Sequence, residues 1–270
     1  MTRIRPFLKW AGSKYNCLNQ IITSLPPAKR LIEPFTGSGV IFMNTNYSSY
    51  ILGESNPDLV HIFSTLKKNG EQFIDYCEKY FNPSVNCESK YYEIRDHFNQ
   101  SIASKKKSAL FLYLNRHGYN GLCRYNSKGI FNVPFGLYNK PYFPRKEMIL
   151  FHKKSAQAEF ILNDFRKTFS LAQPGDVIYC DPPYVPYAEH TKPLAYTQNK
   201  FNESDQIELA ELARETAAKG IPVIISNHDT SFTRHHYKAA QIKSFPVARF
   251  ISCQANLRQP VKELVAVFKD

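Results

Sequence analysis

Asp181, Pro182, Pro183 and Tyr184 follow directly on an apolar run, GDVIYC, at 175–180. Val177, Ile178 and Cys180 read as a short buried strand, which puts Asp181 at its end. A residue before proline is held extended. Two prolines donate no backbone hydrogen bond, and their fixed φ keeps a helix from starting cleanly. The stretch is therefore a stiff bracket offering one carboxylate, two free carbonyls (Pro182 and Pro183) and the flat ring of Tyr184. Acceptors beside a stacking face suit a flat ligand that donates N–H, and an exocyclic amino group on a nucleobase fits that description. Folding alone would give Asp181 a capping role and Tyr184 a packing role. Neither accounts for so many acceptors at one strand tip.

Two further stretches carry candidates. EPFTGSG, Glu33 to Gly39, closes a strand and opens a helix, and Gly37 and Gly39 would let a ligand approach the backbone. The spacing is not the G-x-G-x-x-G of dinucleotide sites, and no Gly-Lys-Ser/Thr phosphate loop is present, so a pyrophosphate cofactor is not favoured. Twenty-one residues after Glu33, Glu54 ends a second strand, where α/β cofactor sites bind ribose hydroxyls. Taken alone, the first motif is equally a structural glycine turn and the second equally a surface acid. FLKWAGSK, Phe7 to Lys14, places the single tryptophan, Trp10, between Lys9 and Lys14. A lone Trp is by default a core anchor. Lys14 at a helix start opposes the positive end of the helix dipole, and a carboxylate-bearing ligand nearby would explain it.

The elements that must position these residues follow from apolar spacing. SKYNCLNQIITSLP (13–26) predicts a helix with Leu18, Ile21, Ile22 and Leu25 on one face, stopped by Pro26-Pro27. KRLIEPF is a strand, TGSG a turn, GVIFMNTN the opening of a helix and SYILGES a second strand. This strand–loop–helix–strand unit over 30–54 implies a parallel α/β sheet. From Asn56 helices take over. Leu59, Ile62, Phe63 and Leu66 form one face, ended by Asn69-Gly70, and Phe73, Tyr76, Cys77 and Tyr80 form the next. SALFLYLNRHGY follows a basic run, and NGLCRYNSKGIFNVPFG reads as strand, turn at 126–129, strand. After about 147 the α/β rhythm returns, with strands GDVIYC, IPVIISN and KELVAVF. Between them lies a helix, SDQIELAELARETAAKG, with Leu209, Leu212, Ala213, Thr216 and Ala217 inward. The expectation is an α/β sheet interrupted by a basic helical and hairpin insert near 57–145.

A chain of 270 residues, 43% hydrophobic and 14% aromatic, has enough material for one large domain or two unequal ones with a substantial core. It has no apolar run near the ~18–20 residues that span a bilayer, and MTRIRPFLKW is no signal sequence. A soluble intracellular protein is expected. Cys17, Cys77, Cys87, Cys123, Cys180 and Cys253 are scattered without a C-x-x-C pair, which argues against a zinc site and a disulfide framework. Charge is concentrated: residues 89–146 hold eleven Lys/Arg against Glu93 and Asp96, which supplies +9 of the net +12. No acid stands between His97 and Lys146. A solvated surface interleaves signs, so this bias points to a polyanion, nucleic acid first.

With these motifs in this order (FLKWAGSK, EPFTGSG, DPPY, ISNHD), the sequence resembles the Dam-type DNA adenine-N6 methyltransferases, which use S-adenosylmethionine (AdoMet). The similarity runs from Phe7 to the final strand. DPPY alone marks amino-methyltransferases broadly, including those acting on cytosine, RNA or protein glutamine. LFLYLNRHGYNGLCRYN and FNVPFG are more specific and point to adenine in GATC. The residues by themselves leave open another nucleic-acid substrate, or a DNA-binding homologue impaired in turnover.

The resemblance implies a Rossmann-like AdoMet-dependent methyltransferase sheet over 1–56 and 146–270, with an inserted helical and β-hairpin DNA target-recognition domain over 57–145. Trp10, Lys14, Glu54 and Asp181 would contact AdoMet, with Phe35, Gly37 and Gly39 lining its loop. Asp181 and the Pro182 carbonyl would accept from the adenine amino group, and Tyr184 would stack on the flipped base. Lys9, Asn120, Leu122, Arg124, Pro134 and Tyr138 would read or brace the GATC site, and Tyr119 would fill the space the adenine leaves. The product would be S-adenosylhomocysteine. Double-stranded DNA is the expected partner of a cytoplasmic monomer that needs neither metal nor membrane. The sequence departs from the family's usual pattern at Ser13, where a glycine is usual, and at Glu54, where an aspartate is usual. SCQANLRQPVKEL (252–264) is also less basic than the family's.

Overall fold

Apolar runs at the middle of the chain order build the centre of one sheet. The computed structural model describes residues 3–184, 201–247 and 261–269; most of SCQANLRQPVKEL and Cys253 lie outside them. The strands are β1 (Arg30–Glu33), β2 (Ser49–Glu54), β3 (Ala158–Leu162), β4 (Asp176–Cys180), β5 (Val223–His228), β6 (Gln241–Val247) and β7 (Val261–Phe268). They form a seven-stranded sheet in the order β3-β2-β1-β4-β5-β7-β6. The first five pair in parallel, and β7 runs antiparallel to both β5 and β6.

Side-chain alternation divides the core between the two faces. Leu31, Tyr50, Leu52, Val177, Tyr179 and Ile224 belong to one apolar cluster, and Ile32, Ile51, Ile178, Cys180, Val223 and Ile225 to the other. The second is covered by α8 (Glu203–Ala217), capped by Asn202 and Asp205, through Leu209, Ala210 and Ala213. Leu212, expected inward, is only partly buried, and Gln206 takes a buried place instead. The first cluster continues without a break into the helices of the basic segment. These are α3 (Pro57–Glu78), α4 (Glu88–Gln100) and α5 (Lys105–His117), followed by α6 (Arg145–Ser155). The break expected at Asn69-Gly70 is a kink within α3, where Gly70 adopts φ 48 and ψ −128.

The strand order reverses once. From β1 the chain moves outward to β2 and β3, then returns to lay β4 on the other side of β1. Ile32 pairs with Ile178, so the loops after Glu33 and after Cys180 leave the same edge side by side. Such a switch point opens a crevice at the carboxyl ends of the strands. It brings EPFTGSG and DPPY together.

Two expectations need correction. The helix over 13–26 shrinks to α1 (Leu18–Ile22), because residues 14–17 form turns and Lys14 is drawn down to Asp181. The hairpin over 120–136 keeps its turn, but its arms meet only at single bridges, Tyr125 with Phe131 and Gly118 with Phe135. Asn132 N donates to the Arg124 carbonyl at 3.1 Å and Asn126 N to the Ile130 carbonyl at 3.0 Å across the arms, and side chains from α4 satisfy other backbone groups. Asn99 holds both the N–H and the carbonyl of Phe131, and Tyr91 and Arg95 donate to the Val133 carbonyl. Among the described residues, no helix is long and apolar enough to cross a membrane, and no group of three His, Cys, Asp or Glu could hold a metal ion.

Candidate active site

Asp181 leaves the end of β4 and meets two side chains, one of them backed by a third. Lys14 Nζ lies 2.9 Å from its Oδ1. The Ser226 hydroxyl, on β5, donates to the same oxygen at 3.1 Å, and Tyr179 OH lies 2.9 Å from Ser226 Oγ. Lys14 also donates to the Gly12 carbonyl at 2.6 Å and stands 4.3 Å from the centre of the Tyr184 ring. Burial lowers the Lys14 ammonium, but Asp181 and Glu263 together hold it above its ordinary value. Burial pushes the Asp181 carboxyl up, and Lys14 beside it pulls it back. The carboxylate that Lys14 called for is thus Asp181 of the same chain.

The two carbonyls of the bracket differ. Gln206 Nε2, on α8, donates to the Pro183 carbonyl at 2.6 Å, and Asn227 Nδ2 holds Gln206 by its Oε1 at 3.1 Å. Pro183 is therefore not free as expected, and Pro182 is the carbonyl left as a candidate acceptor. Tyr184 is fixed by a cross-strand pair: His228 on β5 faces Glu263 on β7. Tyr184 OH donates to Glu263 Oε2 at 3.2 Å, and the His228 ring meets the Tyr184 ring edge-on at 4.7 Å. Ser226, Gln206, His228 and Glu263 were not singled out from the sequence. ISNHD, at the end of an apolar strand, is the one signal that could have pointed to two of them.

The glycine loop lies alongside. Gly37 and Gly39 both have positive φ, 51 and 70. Gly39 caps α2 (Val40–Asn44). A Cβ on Gly37 would come within 3.2 Å of the Trp10 ring, so Trp10 packs on the loop. Gly37 N donates to Glu54 Oε2 at 3.1 Å, and Ser55 N and Asn56 N donate to Oε1 at 2.9 and 3.0 Å. Burial pushes the Glu54 carboxyl up while these N–H groups oppose it. Phe35 stacks on Phe165 at 5.5 Å and meets Phe201 edge-on at 5.5 Å, an aromatic wall whose last two members the sequence did not reveal. Ser13 does not take a left-handed conformation. Its N–H closes a turn onto the Trp10 carbonyl at 3.2 Å, and Gly12, with φ 78, occupies the position that needs positive φ.

Buried beneath the loop is Glu33. Its carboxyl is pushed up to about 8, first by burial and then by the charge on Asp181. Its Oε1 has no hydrogen-bond partner among the described residues.

A second group of expected residues gathers on a rim formed by the end of α5 and the following loops. Asn115 clamps the Lys9 backbone, accepting from its N–H at 2.8 Å and donating to its carbonyl at 2.7 Å. Lys9 then runs across Gly121, and its Nζ lies 4.0 Å from the centre of the Tyr138 ring. Tyr119 is 49% exposed, and its N–H donates to the Pro134 carbonyl at 2.9 Å. Asn120 is left-handed with φ 52. Leu122 packs partly against the core. Arg124 is exposed, its guanidinium steadied by Asn132 through Nε to Oδ1 at 2.8 Å and Nη2 to the carbonyl at 3.1 Å. The stretch 9–14 therefore ties rim to crevice, with Lys9 at one end and Lys14 at the other.

Not every cation of the basic segment faces out. Lys107 pairs with Asp58 at 3.1 Å, and Arg145 with Asp75 and Glu78. Arg116 is buried with its guanidinium on the Phe7 carbonyl, and burial brings it down to about 10. Arg124, Lys106, Lys128 and Lys140 are exposed.

Comparison with known proteins shows the family of the chain. The profile of the D12 class N6 adenine-specific DNA methyltransferase family matches residues 10–249. The chain is 45% identical over 269 residues to a DNA adenine methylase of Vibrio cholerae serotype O1, covering 99% of this chain and 97% of that protein. It is 43% identical over 269 residues to one of Escherichia coli K12, covering 100% and 97%. It is 46% identical over 267 residues to one of Haemophilus influenzae, covering 98% and 93%.

Proposed function

This chain belongs to the D12 class of N6 adenine-specific DNA methyltransferases, and on that premise we propose that it methylates adenine N6 within GATC in duplex DNA, using AdoMet and rotating the target base out of the helix. The observation that carries the reading is the Lys14–Asp181–Tyr184 cluster at the switch point, beside the Gly37 loop and joined to the rim through residues 9–14.

The residues fit AdoMet. Glu54 Oε2 accepts one backbone bond from Gly37 and keeps a lone pair for a ribose hydroxyl. Phe35 offers a flat apolar face, Gly37 and Gly39 an approachable backbone, Trp10 a wall and Lys14 a cation shared between Asp181 and a cofactor carboxylate. When bound, AdoMet supplies a methyl group already activated on a sulfonium.

The chain's own residues then have to hold and polarise a poor nucleophile, an amine conjugated to a purine. Asp181 and the Pro182 carbonyl accept from its N–H groups and draw the lone pair out of the ring plane. The nitrogen loses a proton as it takes the methyl, and Asp181 is the anion in the bracket able to receive it. Tyr184, covered by Lys14 on one face, stacks on the base with the other, which offsets part of the unstacking cost of a few kcal/mol. Fixed in-line placement does most of the remaining work. On the rim, Arg124 takes a guanine edge at two points. Lys9, Asn120, Leu122, Pro134 and Tyr138 brace the site, and Tyr119 fills the gap. The exposed lysines hold phosphates. In this reading 57–145 is the target-recognition part, 1–56 with 146–270 the catalytic part, and the protein works as a cytoplasmic monomer on DNA.

The deciding experiment incubates the protein with AdoMet and two duplexes, one with GATC and one with that site scrambled, then digests both and quantifies N6-methyladenine. Methylation of the GATC duplex alone is expected. Equal methylation of both would keep the chemistry and remove the specificity.

A further inference from the structure

Leu137 has a left-handed backbone, φ 54, and a side chain 80% exposed. A bulky L-residue avoids that conformation. Among the described residues only Asn120 shares it without being glycine, and Asn tolerates it. Ile102 is as exposed, at 84%, but its backbone is ordinary. Exposure alone would mean little; exposure with backbone strain needs a cause.

The strain is imposed from both sides. Gly136 donates to the His117 carbonyl at 2.8 Å, and its Cα is so close to the α5 terminus that a Cβ would come within 2.7 Å of that carbonyl oxygen. On the other side, the Tyr138 carbonyl accepts from Asn86 Nδ2 at 2.8 Å while its ring lies under Lys9 Nζ. Between these anchors the chain holds an apolar side chain in water and in a disfavoured conformation. Folding gains nothing from that arrangement, and such strain persists where it presents a group to a partner.

The location identifies the partner. Gly118 bridges Phe135, Tyr119 bonds to Pro134, and Leu137 follows Pro134 by at most about 11 Å of chain. It belongs to the same rim, in a segment without an acid from His97 to Lys146. For an apolar group next to Tyr138, whose ring carries Lys9, and three residues before the exposed Lys140, the matching surface of DNA is the groove wall, with its deoxyribose and base edges. We propose that Leu137 is a DNA-contacting residue whose strained backbone presents its isobutyl group to the groove wall beside the target site. This rests on the reading that the rim faces DNA.

The test compares Leu137→Asn and Leu137→Gly, which relieve the backbone and remove the apolar contact, with Leu137→Met, which keeps it. Binding is measured on the full chain with S-adenosylhomocysteine and a fluorescent duplex bearing one GATC. The thermal midpoint should rise by roughly 2 °C in the Asn and Gly variants, while their dissociation constant for the duplex rises about tenfold. The salt dependence should keep its slope, since no phosphate contact is lost. The Met variant should bind like the parent. Unchanged affinity in the Asn and Gly variants, a reduced salt slope, or a lowered midpoint in both would each overturn the proposal. Arg124→Ala, measured alongside, separates the failures. If it weakens binding and Leu137→Asn does not, only this inference falls; if neither does, the rim reading falls with it.

Discussion

One buried ammonium, Lys14 Nζ, sits 2.9 Å from Asp181 Oδ1 and 4.3 Å from the centre of the Tyr184 ring. It therefore touches both the acid expected to accept from the substrate and the ring expected to stack on it. Burial pushes the Asp181 carboxyl toward its neutral form, and Lys14 is the strongest influence opposing it.

Replacing that ammonium should move the acid limb of the rate profile. In Lys14→Met the pull on Asp181 is gone and burial dominates, so the carboxyl rises further. Activity that needs the carboxylate should then fall away at a higher pH than in the parent. A kcat–pH profile at saturating AdoMet reads this. A limb that stays in place would mean that Lys14 does not govern Asp181.

Ser226 relays a hydrogen bond from Tyr179 to Asp181. Ser226→Ala should lower kcat by roughly tenfold, the size expected for one hydrogen bond to a charged group. AdoMet affinity should change little. Single-turnover rates with pre-bound DNA would show it, and an unchanged rate would make the contact structural only.

Glu33 predicts an unusual stability profile. Its folded value of about 8 lies above the ordinary 4.5, so the folded state keeps a proton that the unfolded chain releases. Stability from this group is fully present below about pH 4.5 and is lost as pH rises toward 8, with a slope of at most ~1.4 kcal/mol per pH unit. Glu33→Gln should flatten that decline and be the more stable form at pH 8.5. Urea unfolding at pH 5 and 8.5 compares them, and parallel curves would refute the assignment.

Arg124 is held by Asn132, which fixes the fork before any base arrives. Arg124→Ala should lose about 1–3 kcal/mol of discrimination at one guanine, with AdoMet affinity unchanged. Asn132→Ala should lose a smaller part of it. Rates on GATC and on duplexes differing by one base pair measure both. Specificity untouched in Arg124→Ala would reassign that residue to phosphate binding.

What was legible beforehand was local. β4 and β5 are unbroken apolar runs because they are buried on both faces, and the glycine spacing and the bend before Pro182 follow from backbone sterics. β3, an edge strand partly exposed from Ala158 to Leu162, was not read from the sequence although Phe160, Ile161 and Leu162 form a short apolar run. The 120–136 hairpin misled because only a few of its backbone bonds cross the pair, while Asn99, Tyr91 and Arg95 on α4 take others. Lys14 called for a carboxylate, and the chain supplied its own.

The sequence by itself determined the chemical inventory: an acceptor bracket at a strand tip, a glycine loop, a carboxylate after a second strand and a segment stripped of acids. Only the tertiary structure decided which of these meet. Strand order put β4 beside β1, the β5–β7 register brought His228 and Glu263 to Tyr184, and Asn115 fastened Lys9 to the rim. The reason is physical. Backbone preferences and apolar spacing act over a few residues and are written locally, whereas pairing, burial and pKa depend on groups far apart in the chain that only a closed core brings together.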